Sequence, residues 1–72
     1  SGAWLSYGDL RDANLTGTDL SLSHLQNANL TGANLTGTDL FCSNLTGSDL
    51  TNTIQSGTIL NGATMPDGSV NN

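Results

Sequence analysis

The chain has 72 residues, a formal net charge of −5 and a single strongly basic residue, Arg11. An acidic chain without clustered lysine and arginine is not expected to bind nucleic acid or an anionic membrane directly, whereas it suits a basic protein partner. Its single cysteine excludes an internal disulfide and favours a reducing compartment such as the cytoplasm.

A five-residue repeat begins at residue 3 and continues to residue 67. Each unit has a small residue, then usually Asn or Asp, then Leu, then a polar residue and very often Gly. Residues two apart in an extended segment share a face, so the small residue and the Leu point inward and the middle residue points outward. Gly in the last position tolerates the positive φ of a turn. Each unit is therefore predicted to be three extended residues and a corner. The leucine positions are Leu5, Leu10, Leu15, Leu20, Leu25, Leu30, Leu35, Leu40, Leu45, Leu50 and Leu60, followed by Met65.

A second period, of twenty residues, indicates how many units close one coil. The octet ANLTGTDL at 13–20 recurs unchanged at 33–40, and Thr18, Thr38 and Thr58 repeat at the same spacing. Four pentapeptides per coil predict a four-sided tube with the leucines inside. With coils stacked about 4.8 Å apart, the chain would form about three and a half coils over roughly 15 Å.

The motif Ala-(Asn/Asp)-Leu-x-x, spelled Ala-Asn-Leu at 13–15, 28–30 and 33–35, resembles the pentapeptide-repeat family, which is common in cyanobacteria. The resemblance implies an all-β fold, a right-handed quadrilateral β-helix over residues 3–67. No cofactor is expected. It also implies that the domain occurs alone or appended to others, and that most members have no established biochemical activity. Residues 68–72 are expected to form a poorly ordered tail after the turn at Pro66.

Trp4 and Tyr7 lie on the first coil, whose strand edge has no neighbour in the predicted tube. An exposed edge needs covering to prevent end-to-end pairing, so these two aromatic residues are predicted to cap the N-terminal end rather than to stack on a ligand. An end-to-end homodimer through either end is a further expectation.

Four outward residues break the polar pattern: Leu22, Phe41, Cys42 and Ile59. The first three fall at one corner in adjacent coils, and Ile59 lies on the neighbouring face one coil further on. Together they are a candidate interaction patch. The alternative is that they are scattered surface hydrophobes of the kind found on most proteins.

Gln55 occupies a position that Leu15 and Leu35 fill in the preceding coils. Either Gln55 points inward near the open end and meets water, or the chain bulges so that Ile54 turns in and Gln55 turns out. Gly57 and Thr58 return to the phase of their columns, which favours a chain without net slip.

His24 and Cys42 are the only pair that suggests catalysis, and they are expected one coil apart on a convex wall. No third group orients the imidazole, so the chain is predicted not to be an enzyme. Stacked aspartates such as Asp19 and Asp39 offer too few oxygens for calcium, and no metal site is predicted.

The function predicted from the sequence is a structural or protein-interaction module with an unknown partner. One alternative is an acidic mimic of DNA that inhibits a type II topoisomerase, as some longer pentapeptide-repeat proteins do, although the predicted length is short for this role. A second alternative is ice binding by the threonines at the corners. No apolar run has the length of a membrane span, so no membrane partner is expected.

Overall fold

The computed structural model of the chain describes residues 2–71, and backbone bridges to neighbouring coils define its fold. Bridged residues occur singly, every five positions from Trp4 to Thr64 and then at Val70, with turns between them. Every parallel bridge in this range joins two residues twenty apart, beginning with Trp4 to His24. Residues 2–71 contain no helix, and therefore none that is long and apolar enough to cross a membrane.

The bridged residues fall into four columns, and we call each column a face of the wall. Each face is a column of partly or fully exposed residues that follow one another at intervals of twenty. Face 1 holds Trp4, His24, Asn44 and Thr64; face 2 holds Asp9, Asn29 and Asp49; face 3 holds Asn14, Asn34 and Ile54; face 4 holds Asp19, Asp39 and Ile59.

The leucines fill the interior, as the repeat predicts. Leu20 and Leu40 are 6% and 1% exposed, and the small residue before each outward residue is buried with them in the middle coils. Burial of a leucine side chain contributes about 1.5 to 3 kcal/mol, so this column is the main source of stability. The leucines of the end coils are only half-buried because they have a neighbouring coil on one side. These half-buried leucines are Leu5, Leu10, Leu15, Leu50 and Leu60.

Most corners are held by a hydrogen bond across the turn, and the outward Asn and Asp residues add a bond from their side chains. The N–H of Thr18, for example, donates to the carbonyl of Leu15 at 3.0 Å. The Oδ1 of Asn14 accepts from the N–H of Thr16 at 3.2 Å and from its hydroxyl at 2.7 Å. The residue after Thr16 is Gly17, with φ +69, the left-handed conformation that glycine adopts without steric cost.

Gln55 stays in register with the leucine column and is exposed. Ile54 bridges Asn34 on face 3, and its carbonyl accepts from the N–H of Leu35 at 2.7 Å. The Nε2 of Gln55 donates to the Oγ1 of Thr53 at 2.8 Å instead of being buried. The chain does not slip and Ile54 does not turn inward.

The last described residues turn back along the coil, and the expectation of a poorly ordered tail over 68–72 stays a prediction. After a turn at 66–68 the chain reverses, and Val70 forms an antiparallel bridge with Thr64. The N–H of Met65 donates to the carbonyl of Ser69 at 2.6 Å, and the N–H of Asn71 donates to that of Ala63 at 2.8 Å. The reversal therefore forms a hairpin that covers the last coil on face 1. Residue 72 lies outside the described residues.

Candidate functional site

The four residues of the predicted patch lie around the corner between face 4 and face 1, and we call them the corner patch: Leu22, Phe41, Cys42 and Ile59. The N–H of Leu22 donates to the carbonyl of Phe41 at 2.9 Å, so these residues are neighbours in adjacent coils. Ile59 bridges Asp39, two residues before Phe41. All four side chains are exposed, Leu22 by 58%. The backbone thus places the four predicted residues in one region of the wall.

The backbone at this corner is strained. Leu22 and Cys42 have φ of 58° and 56°, in the left-handed region where most other corners have Gly or Asn. An L residue with an ordinary side chain loses roughly 1 to 2 kcal/mol in this conformation. The backbones of two adjacent coils are therefore strained at the same corner.

Phe41 replaces a hydroxyl residue at the same corner. In the preceding coil the hydroxyl of Ser21 donates to the Oδ1 of Asp19 at 2.6 Å. Phe41 keeps only the backbone part of this arrangement, since its N–H donates to the Oδ1 of Asp39 at 3.0 Å. The exposed ring of Phe41 thus occupies the position at which Ser21 has a hydrogen-bonded hydroxyl.

Trp4 and Tyr7 lie at the N-terminal end, where the sequence predicts a cap. The ring of Trp4 stacks on that of His24 with centroids 3.9 Å apart and an angle of 7° between the planes. Trp4 is 78% exposed and Tyr7 is 79% exposed, so much of each ring faces solvent. The stack lies along face 1, and the capping role stays a prediction.

The candidates for chemistry do not converge on a reactive site. His24 stands on face 1 against Trp4, and Cys42 belongs to the corner patch. Residues 2–71 form no cavity and contain no cluster of three or more His, Cys, Asp or Glu side chains that could hold a metal ion.

The carboxylates are fixed at the corners and favour their charged form. Arg11 donates two hydrogen bonds of 2.8 Å to Asp9, which lowers the pKa of Asp9 to about 2. Hydrogen bonds from the hydroxyl and then the N–H of Ser21 lower the pKa of Asp19. Thr51 lowers the pKa of Asp49 in the same way. The wall therefore presents a negative surface at neutral pH.

The hydrogen bonds of the outward Asn and Asp residues were not predicted from the repeat, which indicated only that these side chains point outward. Their Oδ1 atoms accept from the N–H two residues on, and at most corners also from a Thr or Ser hydroxyl there. Asn and Asp commonly bond backbone groups two residues further along a turn. The spacing Asn/Asp-x-Thr/Ser was the signal for this arrangement.

Comparisons with known proteins identify the family of this chain. A family model of pentapeptide repeats matches residues 1–23 and 18–54, with 8 copies of the repeat. The pentapeptide repeat protein Rfr23 from the cyanobacterium Cyanothece 51142 is 31% identical, with a TM-score of 0.83 over 100% of this chain and 52% of its own. HetL, described as a pentapeptide repeat protein involved in heterocyst differentiation regulation from the cyanobacterium Nostoc sp. strain PCC 7120, is 38% identical. Its TM-score is 0.64 over 99% of this chain and 40% of its own.

The chain spans about half the length of Rfr23 and 40% of the length of HetL. No curated protein matches it. The family model covers well over half of the chain, and both neighbours share its repeat. The predicted family is confirmed: the chain belongs to the pentapeptide-repeat proteins, which form right-handed β-helices.

Proposed function

We propose that the chain is a rigid structural and protein-interaction module without catalytic activity, and that the corner patch is its contact surface. The supporting framework is a four-sided β-helix of about three and a half coils, with four bridged residues in each period of twenty. The buried leucines hold this framework in one shape, so exposed side chains on its wall keep fixed relative positions.

The main support for the proposal is the loss of stability expected at the corner patch, from backbone strain and a missing hydrogen bond. Leu22 and Cys42 take left-handed φ values, and Phe41 forgoes a hydroxyl bond that Ser21 makes at the equivalent position. Backbone strain of this kind clusters at functional sites; outside the patch it occurs also at Tyr7 and Asp12, which are not in adjacent coils of one column. An aromatic ring and an aliphatic side chain, both about half exposed, are the residue types that anchor protein interfaces.

The charges around the patch indicate the chemistry of the partner. Asp19 and Asp39 lie on face 4 beside it, and the chain has a net charge of −5. A partner with a basic rim around an apolar centre would match this surface. HetL is described as acting in regulation, which is consistent with a binding role for a related wall.

Neither alternative from the sequence analysis gains a specific supporting observation. The corner threonines Thr16, Thr31 and Thr36 donate their hydroxyl protons to Asn side chains rather than presenting them to water. The molecule extends only 23 × 23 × 19 Å, which is short for a mimic of duplex DNA.

The test is affinity capture with the chain as bait in an extract of the organism that encodes it. The parent chain should retain a partner, and Phe41→Asp should lose it because a charge replaces the apolar anchor. Ser56→Asp is the matched control, since Ser56 is exposed at the equivalent position of another corner and receives the same charge.

Circular dichroism should show that both variants keep the fold of the parent. Retention of the partner by Phe41→Asp, equal loss in Ser56→Asp, or no partner captured by the parent would contradict the proposal.

A further inference from the structure

The two central residues of the corner patch have a coil on each side. Leu22 has Gly2 and Cys42 twenty residues before and after it, and Phe41 has described neighbours at the same intervals. Backbone hydrogen bonds from Gly2, Leu22 and Cys42 join these coils. Leu22 and Phe41 are nevertheless 58% and 47% exposed. Their exposure therefore belongs to the wall itself and does not depend on where the chain begins or ends.

The backbone of the corner patch offers no N–H group to a partner strand. The N–H of Leu22 donates to the carbonyl of Phe41, and the N–H groups of Cys42 and Ile59 also donate to neighbouring coils. The N–H of Phe41 is bonded to the Oδ1 of Asp39. An extended segment docked here would bury backbone groups without partners, whereas an α-helix pairs its own. A helix that is recognised through side chains is the backbone form that fits this surface.

The apolar side chains of the corner patch follow one another along the coil axis at nearly the interval of helix turns. Leu22, Phe41 and Ile59 lie in successive coils, which are about 4.8 Å apart. A helix advances about 5.4 Å per turn, and residues at i, i+3 or i+4, and i+7 return to one face at that interval. Over the two steps from Leu22 to Ile59 the mismatch is about 1 Å. A helix parallel to the coil axis can therefore place a side chain against each of the three residues.

Negative charge lies on one side of the corner patch only. Asp19 and Asp39 are bridged in adjacent coils on face 4, so their column runs parallel to the apolar side chains. Face 1, on the other side, has no carboxylate among its described residues, which include His24 and Asn44 beside the patch. Lys or Arg side chains along one edge of a bound helix would meet the two carboxylates. The charge thus determines which edge of the helix faces face 4.

We infer that the corner patch binds an amphipathic α-helix of a partner protein, with Lys or Arg along one edge of its apolar stripe; this inference rests on the proposed function. The helix lies parallel to the coil axis, and its apolar side chains pack on Leu22, Phe41 and Ile59. Its basic edge lies over Asp19 and Asp39. A single helix on a corner buries less area than a standard interface, so the expected dissociation constant is on the order of 10 to 100 µM.

Titration with a synthetic helix tests the inference. The probe is a peptide of about 18 residues, or five turns, with leucines at the spacing i, i+3, i+4 and i+7, lysines along one side of the leucine stripe, and alanines elsewhere. Calorimetry measures the dissociation constant, and two-dimensional NMR spectra of the chain locate the bound peptide. Shifted signals should concentrate at Leu22, Phe41 and Ile59 rather than on face 2, where Asp9 and Asp49 are also negative.

A scrambled peptide is the control for charge. It has the same composition and net charge, but its leucines do not share one face of a helix. It should bind about tenfold more weakly or less, because only the electrostatic part of the attraction remains.

Two substitutions at equivalent corner positions test the apolar contact. Leu22 and Tyr7 both have left-handed φ, 58° and 63°, and both side chains are exposed. Asn27 and Asn52 take the same conformation, so Leu22→Asn and Tyr7→Asn should both keep the fold. Leu22→Asn should raise the dissociation constant about tenfold because an apolar contact is lost. Tyr7→Asn should leave it unchanged, since Tyr7 lies at a different corner.

Two further substitutions test the side from which charge acts. Asp39→Asn and Asp49→Asn each remove one negative charge, and an amide can still accept from the N–H two residues on, as Asn34 does. Asp39→Asn should raise the dissociation constant about threefold at low salt. Asp49→Asn should leave it unchanged because Asp49 lies on face 2.

Absence of peptide binding at about 1 mM would overturn the inference. So would equal affinity for the scrambled peptide, shifted signals centred on face 2, or equal effects of Leu22→Asn and Tyr7→Asn. The capture experiment tests the corner patch separately. A partner that is captured by the parent and lost with Phe41→Asp, together with no binding of the synthetic helix, would support the proposed function and overturn only the helix as its occupant.

Discussion

The middle coil and the last coil are built from the same five-residue unit, yet only the middle coil is closed. In the middle coil Leu35 is 1% exposed, and Asn34 bonds the corner that follows. In the last coil Gln55 stands in the same column and is exposed, and Ile54 replaces the capping asparagine. The carbonyl of Gln55 also accepts no bond from the N–H of Thr58, unlike the equivalent pair at every other corner in residues 5–68.

Burial of a unit in this repeat thus depends on the coils beside it as well as on its own sequence. A leucine is buried when coils lie on both sides of it, and a corner is firm when its outward residue is Asn or Asp. Gln55 has no coil beyond it among the described residues, and its side chain is exposed.

The largest expected effect is truncation of the central leucine. Leu35→Ala should lower the free energy of unfolding by about 3 kcal/mol, because it removes buried area and leaves a cavity between two coils. Urea denaturation followed by circular dichroism measures the change.

The same column supplies the controls. Leu15→Ala, at a half-buried position, should cost about 1 to 2 kcal/mol, and Gln55→Ala less than about 0.5 kcal/mol. Equal losses at the three positions would show that the end coils are as enclosed as the middle one.

A smaller effect is expected at the glycine under Cys42. Gly62 has φ +72, and a Cβ there would lie 2.8 Å from the Sγ of Cys42. Gly17, with φ +69, has no atom within 4 Å of such a Cβ. Gly62→Ala should therefore cost about 2 kcal/mol and Gly17→Ala about 1 kcal/mol, since only the first adds a clash to the backbone strain.

A double-mutant cycle isolates the clash. In a chain that already has Cys42→Gly, the substitution Gly62→Ala should lower the free energy of unfolding only as much as Gly17→Ala does in the parent. Urea denaturation measures both changes. Costs that add without coupling would mean that the thiol moves aside freely.

The smallest expected effect is a loss of thermal stability at low pH. The pKa values of Asp9, Asp19 and Asp49 are lower in the folded chain than the ordinary 3.8. These carboxylates thus stabilise the fold above pH 3.8, and that contribution is lost as the pH falls through the folded pKa, about 2 for Asp9. The thermal midpoint should decline between pH 4 and pH 2.

The variant with Asp19→Asn and Asp49→Asn should decline less over the same range, because an amide keeps the corner bonds and does not titrate. An identical decline would place the acid sensitivity elsewhere. Ile54 and Ile59 do not titrate, so the corners of the last coil on faces 3 and 4 should contribute nothing to it.

Much of the framework could be predicted from the sequence because periodicity reports directly on which side chains share a face. The five-residue period predicted the buried leucine column, and the recurrence of residues 13–20 at 33–40 predicted bridges between residues twenty apart. Glycine columns predicted the left-handed corners. These features depend on local geometry that each unit repeats.

Features outside the repeat were harder to predict. The chain reverses after the repeat and pairs Val70 with Thr64. This turn and strand occur once, so the repeat does not predict them. The register placed Leu22 at the left-handed corner position, but the repeat does not explain why a leucine occupies it. The stack of Trp4 on His24 required knowing which side chains meet across coils.

The constant interval of twenty between bridged residues has a consequence for how such walls can change in length. Duplicating any complete circuit, such as residues 23–42, adds a layer and leaves every downstream column on its original side. Inserting a single pentapeptide instead carries every later residue a quarter of the way around the tube. Growth by whole layers therefore preserves a surface, and growth by one unit moves it to a different side.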